Sequence, residues 1–163
     1  MSEEKMLTVN DVPMILRREI EAAMIAPFIE AFAKEFGEEK TMAIVKEVIA
    51  SLAKQAGQAM AKAIGDNSLE AFATKVTPNF SAGGALEVEL KEATSECVRM
   101  DIVRCAYVDM YKKLGLEKLG PVLSCGRDVS LIEGFNEEAV FTRQHTLMEG
   151  GPCCDFCLQK KTK

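Results

Sequence analysis

Residues 86–103 read LEVELKEATSECVRMDIV, and their alternation decides the fold. Leu86, Val88 and Leu90 alternate with Glu87, Glu89 and Lys91, and Val98, Met100 and Ile102 alternate with Arg99, Asp101 and Val103. A period of two is the strand signature, because successive side chains point to opposite faces of a pleated backbone. The two runs predict a β-hairpin with one apolar face for a core and one polar face.

Upstream the period changes. Leu16, Ile20, Met24, Phe28, Phe32 and Phe36 recur every fourth position and draw one ridge along a helix. Asp11 and Pro13 supply its start and Gly37 its stop. Pro27 has no amide hydrogen to donate and predicts a kink near Ala26 or a break into two helices. A second helix is expected from about Glu39 to Ile64, with Val45, Val48, Ile49, Leu52 and Ala56 on its buried face. Small residues from Ala53 through Gly57 to Ala63 allow close helix packing, and Gly65-Asp66-Asn67-Ser68 ends the segment. Ser68 is placed to cap a short helix that Pro78 closes after about Val76.

Downstream, Tyr107 to Leu114 returns to helical spacing, and Ser130-Leu131-Ile132 suggests another turn. A second hairpin is expected from Val140 to Leu147, through Glu149-Gly150-Gly151-Pro152, and back along Cys153 to Leu158, before a basic KKTK tail. The fold class is therefore α+β: residues 1–80 mainly helical, then two hairpins over 84–160 joined by helices, making an antiparallel sheet of about four strands. The length predicts one domain over 1–163.

Net charge is −5, against the basic face of a nucleic-acid binder. No apolar run approaches the roughly 18 residues of a spanning helix, and the acidic, polar start MSEEKMLTVND is not a secretory signal. A cytoplasmic location is expected. In a reducing compartment the six cysteines are expected to be free. The expected partners are a small-molecule substrate and, as an option, a second copy of the chain, with neither nucleic acid nor membrane.

The cysteines allow three readings. Cys125, in Cys125-Gly126-Arg127-Asp128, suits a thiol nucleophile: the nearby arginine favours thiolate, Gly126 lets a substrate approach, and Asp128 is placed to cap a turn or orient a base. Cys105, where a strand gives way to a helix, is the other candidate, its pKa lowered by the helix start. Buried packing is the plain alternative for both. The second reading is metal ligation by Cys125, Cys153, Cys154 and Cys157, with His145 as a substitute ligand. It lacks a second matched pair, and Cys154 and Cys157 point apart on a straight strand. The third is redox chemistry at Cys153-Cys154, which requires a strained ring. His145, on an extended strand, would share a face with Phe141, Arg143 and Leu147. Arg99, Asp101, Arg143 and Asp155 suit either ligand recognition or cross-strand ion pairing. No cofactor is otherwise expected.

The ordered blocks Cys105-Ala-Tyr107, Tyr111-x-x-Leu114-Gly115-Leu116, Cys125-x-x-Asp128, Glu133-Gly134-Phe135, Arg143-x-x-Thr146-Leu147-x-x-Gly150 and Cys154-Asp155-Phe156 resemble the L-2-amino-thiazoline-4-carboxylic acid hydrolase family. The closing Gly-x-x-x-Cys-x-Phe hairpin is also similar to vinyl-reductase-like small-ligand domains. The resemblance implies a hydrolase that opens a small cyclic amidine at the carbon bearing nitrogen and sulfur. On that reading Cys125, Cys105, Asp128 and Cys154 would stand near the reacting centre. Asp128 or Asp155 would hold the amidinium, Arg143 or Arg104 the substrate carboxylate, and Tyr107 the binding wall. His145 and cysteines 153 and 157 depart from the family pattern. A small-ligand binding or sensing domain, using the same pocket without turnover, is the alternative from a different class.

Overall fold

The predicted hairpin is present: β1 (Leu86–Ala93) pairs antiparallel with β2 (Cys97–Cys105). A computed structural model of the chain describes residues 6–161, which leaves the first five residues of the acidic start and the last two of the basic tail outside the described residues. The sheet has four strands in the order β1-β2-β4-β3, with β3 (Ala139–Thr142) and β4 (Cys154–Lys160) antiparallel. The β2–β4 register sets Val98 against Leu158, Met100 against Phe156 and Ile102 against Cys154. These six form the inward face, while Arg99, Asp101, Asp155 and Cys157 share the other. Lys91 pairs with Asp101 on that outer face, the cross-strand ion pairing expected of a solvated surface. One apolar residue of β1 stays exposed: Leu90 pairs with the inward Met100 but lies on the edge strand, just before a register shift.

Helix α1 (Met14–Phe36) and helix α2 (Glu38–Ile64) form an antiparallel pair around Gly37, whose φ of 89° needs glycine. Pro27 does not break α1. It lies with Ala23 on the exposed side, so the carbonyl that loses its intrahelical donor faces outward. The every-fourth ridge is also exposed, because Ala22, Ala26 and Ile29 are the residues α1 buries. On α2 the buried residues are Thr41, Ile49, Ala53 and Gly57, while Val48 and Leu52, expected inside, are open.

Ser68 caps α3 (Leu69–Ala71), its Oγ accepting from the Ala71 amide at 3.1 Å. Pro78 does not close this segment. A π turn (Phe72–Val76) widens the helix and continues into α4 (Thr77–Ser81), with Pro78 in the first turn of α4 just after the widened stretch. After β2 come α5 (Ala106–Lys113), α6 (Gly120–Leu123), a 3₁₀ turn at Cys125–Arg127 and α7 (Asp128–Phe135).

Two glycines fix the depth at which α7 sits. A Cβ on Gly57 would lie 2.1 Å from the Leu131 carbonyl oxygen, and one on Gly134 would lie 2.1 Å from that of Lys54. The α2 and α7 backbones therefore touch, which presses Leu131, Ile132 and Phe135 onto the sheet with Phe72, Val76, Val98, Met100 and Leu158. A second cluster, Ala22, Ile29, Ile49, Met110, Tyr111 and Leu123, joins α1, α2, α5 and α6. No helix among the described residues is long and apolar enough to cross a membrane.

Candidate functional site

A cavity of about 100 Å³ lies between the inward sheet face and the helices. Met100 and Ile102 of β2 and Cys154 and Phe156 of β4 form its sheet wall, and Phe72, Thr77 and Phe80 come from the π turn and α4. Leu131 and Ile132 come from α7. Six of the eight residues singled out above line it: Cys105, Tyr107, Cys125, Asp128, Arg143 and Cys154.

The wall is mostly apolar, so its charged groups stand out. Asp128, the first residue of α7, forms an ion pair with Arg143. Arg143 follows the last residue of β3, and its guanidinium also lies over the rings of Phe141 and Phe156, at 5.6 and 5.4 Å. Its second terminal nitrogen donates to the Cys125 carbonyl at 3.4 Å. Burial outweighs the pull of Arg143 and pushes the Asp128 carboxyl up to about 6.

The thiols are electrostatically quiet. Burial, with the nearby Asp128, pushes Cys125 up to about 12, against an opposing pull from Arg143. Arg127, two positions on, does not help: its guanidinium is engaged elsewhere, Nε donating to the Leu123 carbonyl at 2.7 Å and Nη2 to Glu21 at 3.0 Å. Cys105 sits at the expected strand-to-helix junction. Burial nonetheless raises its pKa, outweighing the Val108 and Tyr107 amides that act to lower it. Cys154 is pushed up to about 11 by burial and accepts a hydrogen bond from the Leu147 amide at 3.2 Å. All three are therefore neutral thiols near pH 7, opposite to the activated thiolate expected at Cys125 and Cys105. Tyr107 donates from its hydroxyl to the Phe80 carbonyl at 3.2 Å, tying α5 to α4.

Other expected participants lie elsewhere. Asp155 is on the outer sheet face and accepts from the Gln144 amide at 3.1 Å and the His145 amide at 2.6 Å. Arg104 is exposed, donating to the Gly84 carbonyl at 3.2 Å. β3 ends at Thr142, so the Val140–Leu147 strand is half as long as predicted. His145 consequently sits in a loop, its side chain 51% exposed and 3.5 Å from Asp155, sharing no strand face with Arg143. Gly126 is exposed and lies against the Pro121 carbonyl rather than the cavity. Cys125 and Cys154 face the cavity, whereas Cys157 pairs with Arg99 across the sheet. Among the described residues no three His, Cys, Asp or Glu side chains converge as metal ligands would.

Arg18 is absent from the sequence reading, and Arg127 enters it only as a neighbour of Cys125. Arg18 of α1 and Arg127 both border the cavity, with side chains only 11% and 13% exposed, and both donate to the same Glu21 oxygen, at 2.6 and 3.0 Å. Glu21 and Arg127 are 106 positions apart, so no local spacing signals the cluster.

A family model described as L-2-amino-thiazoline-4-carboxylic acid hydrolase matches residues 17–158. No curated protein sequence matches this chain. Among solved structures, the fold is similar to the crystal structure of the phenol-responsive sensory domain of the transcription activator PoxR with phenol. The TM-score is 0.53 at 10% sequence identity, over 85% of this chain and 74% of that one, a likeness of fold alone.

Proposed function

Since this chain belongs to the L-2-amino-thiazoline-4-carboxylic acid hydrolase family, we propose that its cavity binds one small, flat, mostly apolar ring with a polar edge. The observation that carries this reading is the wall itself: apolar side chains and neutral thiols surround one close carboxylate–guanidinium pair, with Arg18 and Arg127 at the border. A volume of about 100 Å³ is of the order that admits one ring, since an apolar cavity of roughly 150 Å³ holds benzene. Phenylalanine edges and polarizable sulfur suit the faces of such a guest. Asp128 accepts from an N–H or O–H on its edge, and Arg143 donates to an acceptor. The phenol-responsive domain of similar fold supports the size class, not the identity, of the ligand.

One observation favours a further, catalytic reading. Asp128, at about 6, is largely ionised at neutral pH yet basic enough to take a proton. In hydrolysis of a 2-aminothiazoline ring, water oxygen bonds to the ring carbon between nitrogen and sulfur while Asp128 accepts a water proton. With the ring nitrogen already protonated in the amidinium form, the carbon–sulfur bond then breaks, the added hydroxyl loses its remaining proton to solvent as it becomes the carbonyl, and the sulfur leaves with its electron pair and takes the proton held by Asp128, giving a carbamoyl thiol whose former ring nitrogen is an amide N–H. The neutral thiols serve here as wall rather than nucleophile.

Thermal shift and calorimetric titration with phenol and with 2-amino-thiazoline-4-carboxylate test the proposal, followed by mass spectrometry of the recovered molecule. Saturable binding with the molecule recovered intact supports the binding role, and one added water supports hydrolysis. Absence of binding by both molecules, with no turnover, rejects both readings.

A further inference from the structure

We propose that a second copy of this chain seats on the outward face of α1 and α2. Phe28, Phe32 and Phe36 of α1, and Ile44, Val48 and Leu52 of α2, each leave 49–58% of their surface open. Leu16, Ile20 and Met24 extend the same α1 ridge and are also exposed. With roughly 150–250 Å² for a whole aromatic side chain, the face opens on the order of 800–1,000 Å² of apolar surface. That exceeds the roughly 300–600 Å² of the largest patch on a typical monomer and matches the roughly 800 Å² that each partner contributes to a stable interface.

The shape is self-complementary, as a two-fold contact requires. The phenylalanine ridge runs beside an apolar groove of about 480 Å³ floored by Ile44, Val48 and Ile49. The ridge of one copy can therefore fill the groove of the other, and the reverse, by ridges-into-grooves packing. A lone acyl chain would occupy the groove but leave Leu16, Ile20 and Met24 uncovered. A membrane surface favours a basic rim, whereas beside Lys40 at the groove the exposed residues of the two helices mix Glu30 and Glu47 with Lys34 and Lys46. Arg18 and Arg127 line the ligand cavity and also a neighbouring hollow bordered by Met24, Phe28, Val48 and Leu52 of this face, but the inference rests on neither ligand nor reaction.

Sedimentation velocity of the full chain, up to roughly 100 µM protomer, reads the result directly. The expected mass is twofold that of one chain. Phe32→Glu and Ile44→Glu should each return it to one chain with an unchanged circular dichroism spectrum, and Val140→Glu, at an exposed apolar residue of the sheet, should leave the dimer intact. A wild-type mass of one chain throughout the range, with or without co-purified lipid in native mass spectrometry, overturns the proposal. So does a dimer that survives both α1/α2 substitutions.

Discussion

Asp128 and Arg143 are ion-paired across the join between α7 and the end of β3, so one electrostatic contact ties helix layer to sheet edge at the cavity wall. Arg143 is nearly enclosed and stacked over two rings, and Asp128 starts a helix whose depth is fixed by a glycine contact. Neither partner can turn away without disturbing packing.

Replacing Arg143 by Met should therefore strand a half-buried carboxylate. The cost is expected near about 3 kcal/mol, the low end for breaking such a pair, because part of the Asp128 side chain reaches solvent. Urea unfolding checks it, and Asp128→Asn in the same chain should restore most of the loss, since no charge is then left unpaired.

Asp128 also sets a pH dependence. Its folded pKa is raised from 3.8 to about 6, so in this range the unfolded chain loses the proton first. The native state then binds more protons, and this group's contribution is fully present below 3.8 and lost as pH rises through about 6. Relative to wild type, Asp128→Asn should gain stability as pH rises from about 4 to 7. Denaturation midpoints at the two ends give the sign.

Cavity thiols should be poor nucleophiles. With Cys125 at about 12 and Cys154 at about 11, iodoacetamide near pH 8 should label both at least roughly tenfold more slowly than in the urea-unfolded chain. Peptide mapping after timed quenching resolves each site. Fast native labelling of Cys125 would restore it as a nucleophile.

Gly57→Ala should destabilise the fold by about 2–3 kcal/mol or more, because the added carbon meets backbone atoms that cannot move independently. The thermal midpoint measures it, and a loss of ligand binding should accompany any displacement of α7.

Much of this arrangement was written locally. Alternation in 86–103 marks the hairpin, and the shared face of Cys154 and Phe156 places both on the cavity wall. The family blocks hold seven of its lining residues. Helical period shows which residues share a face, not which face is covered: Ala22, Ala26 and Ile29 form as regular a stripe as the phenylalanines. The small residues permit close approach to the rest of the fold, leaving the large ones outside. Arg18 reads as a surface residue, and its burial beside Arg127 depends on tertiary contact with Glu21. Thiol acidity is the least legible part, because neighbours in sequence are visible and desolvation is not.

The central claim is that the space between sheet and helices holds the ligand. Backbone amide spectra of isotope-labelled protein, titrated with phenol and with 2-amino-thiazoline-4-carboxylate, test it most directly. The account predicts saturable shifts for at least one of the two, concentrated at Thr77, Cys105, Cys125, Asp128 and Cys154. Shifts confined to the α1/α2 face, or none at millimolar concentration for either molecule, would contradict it.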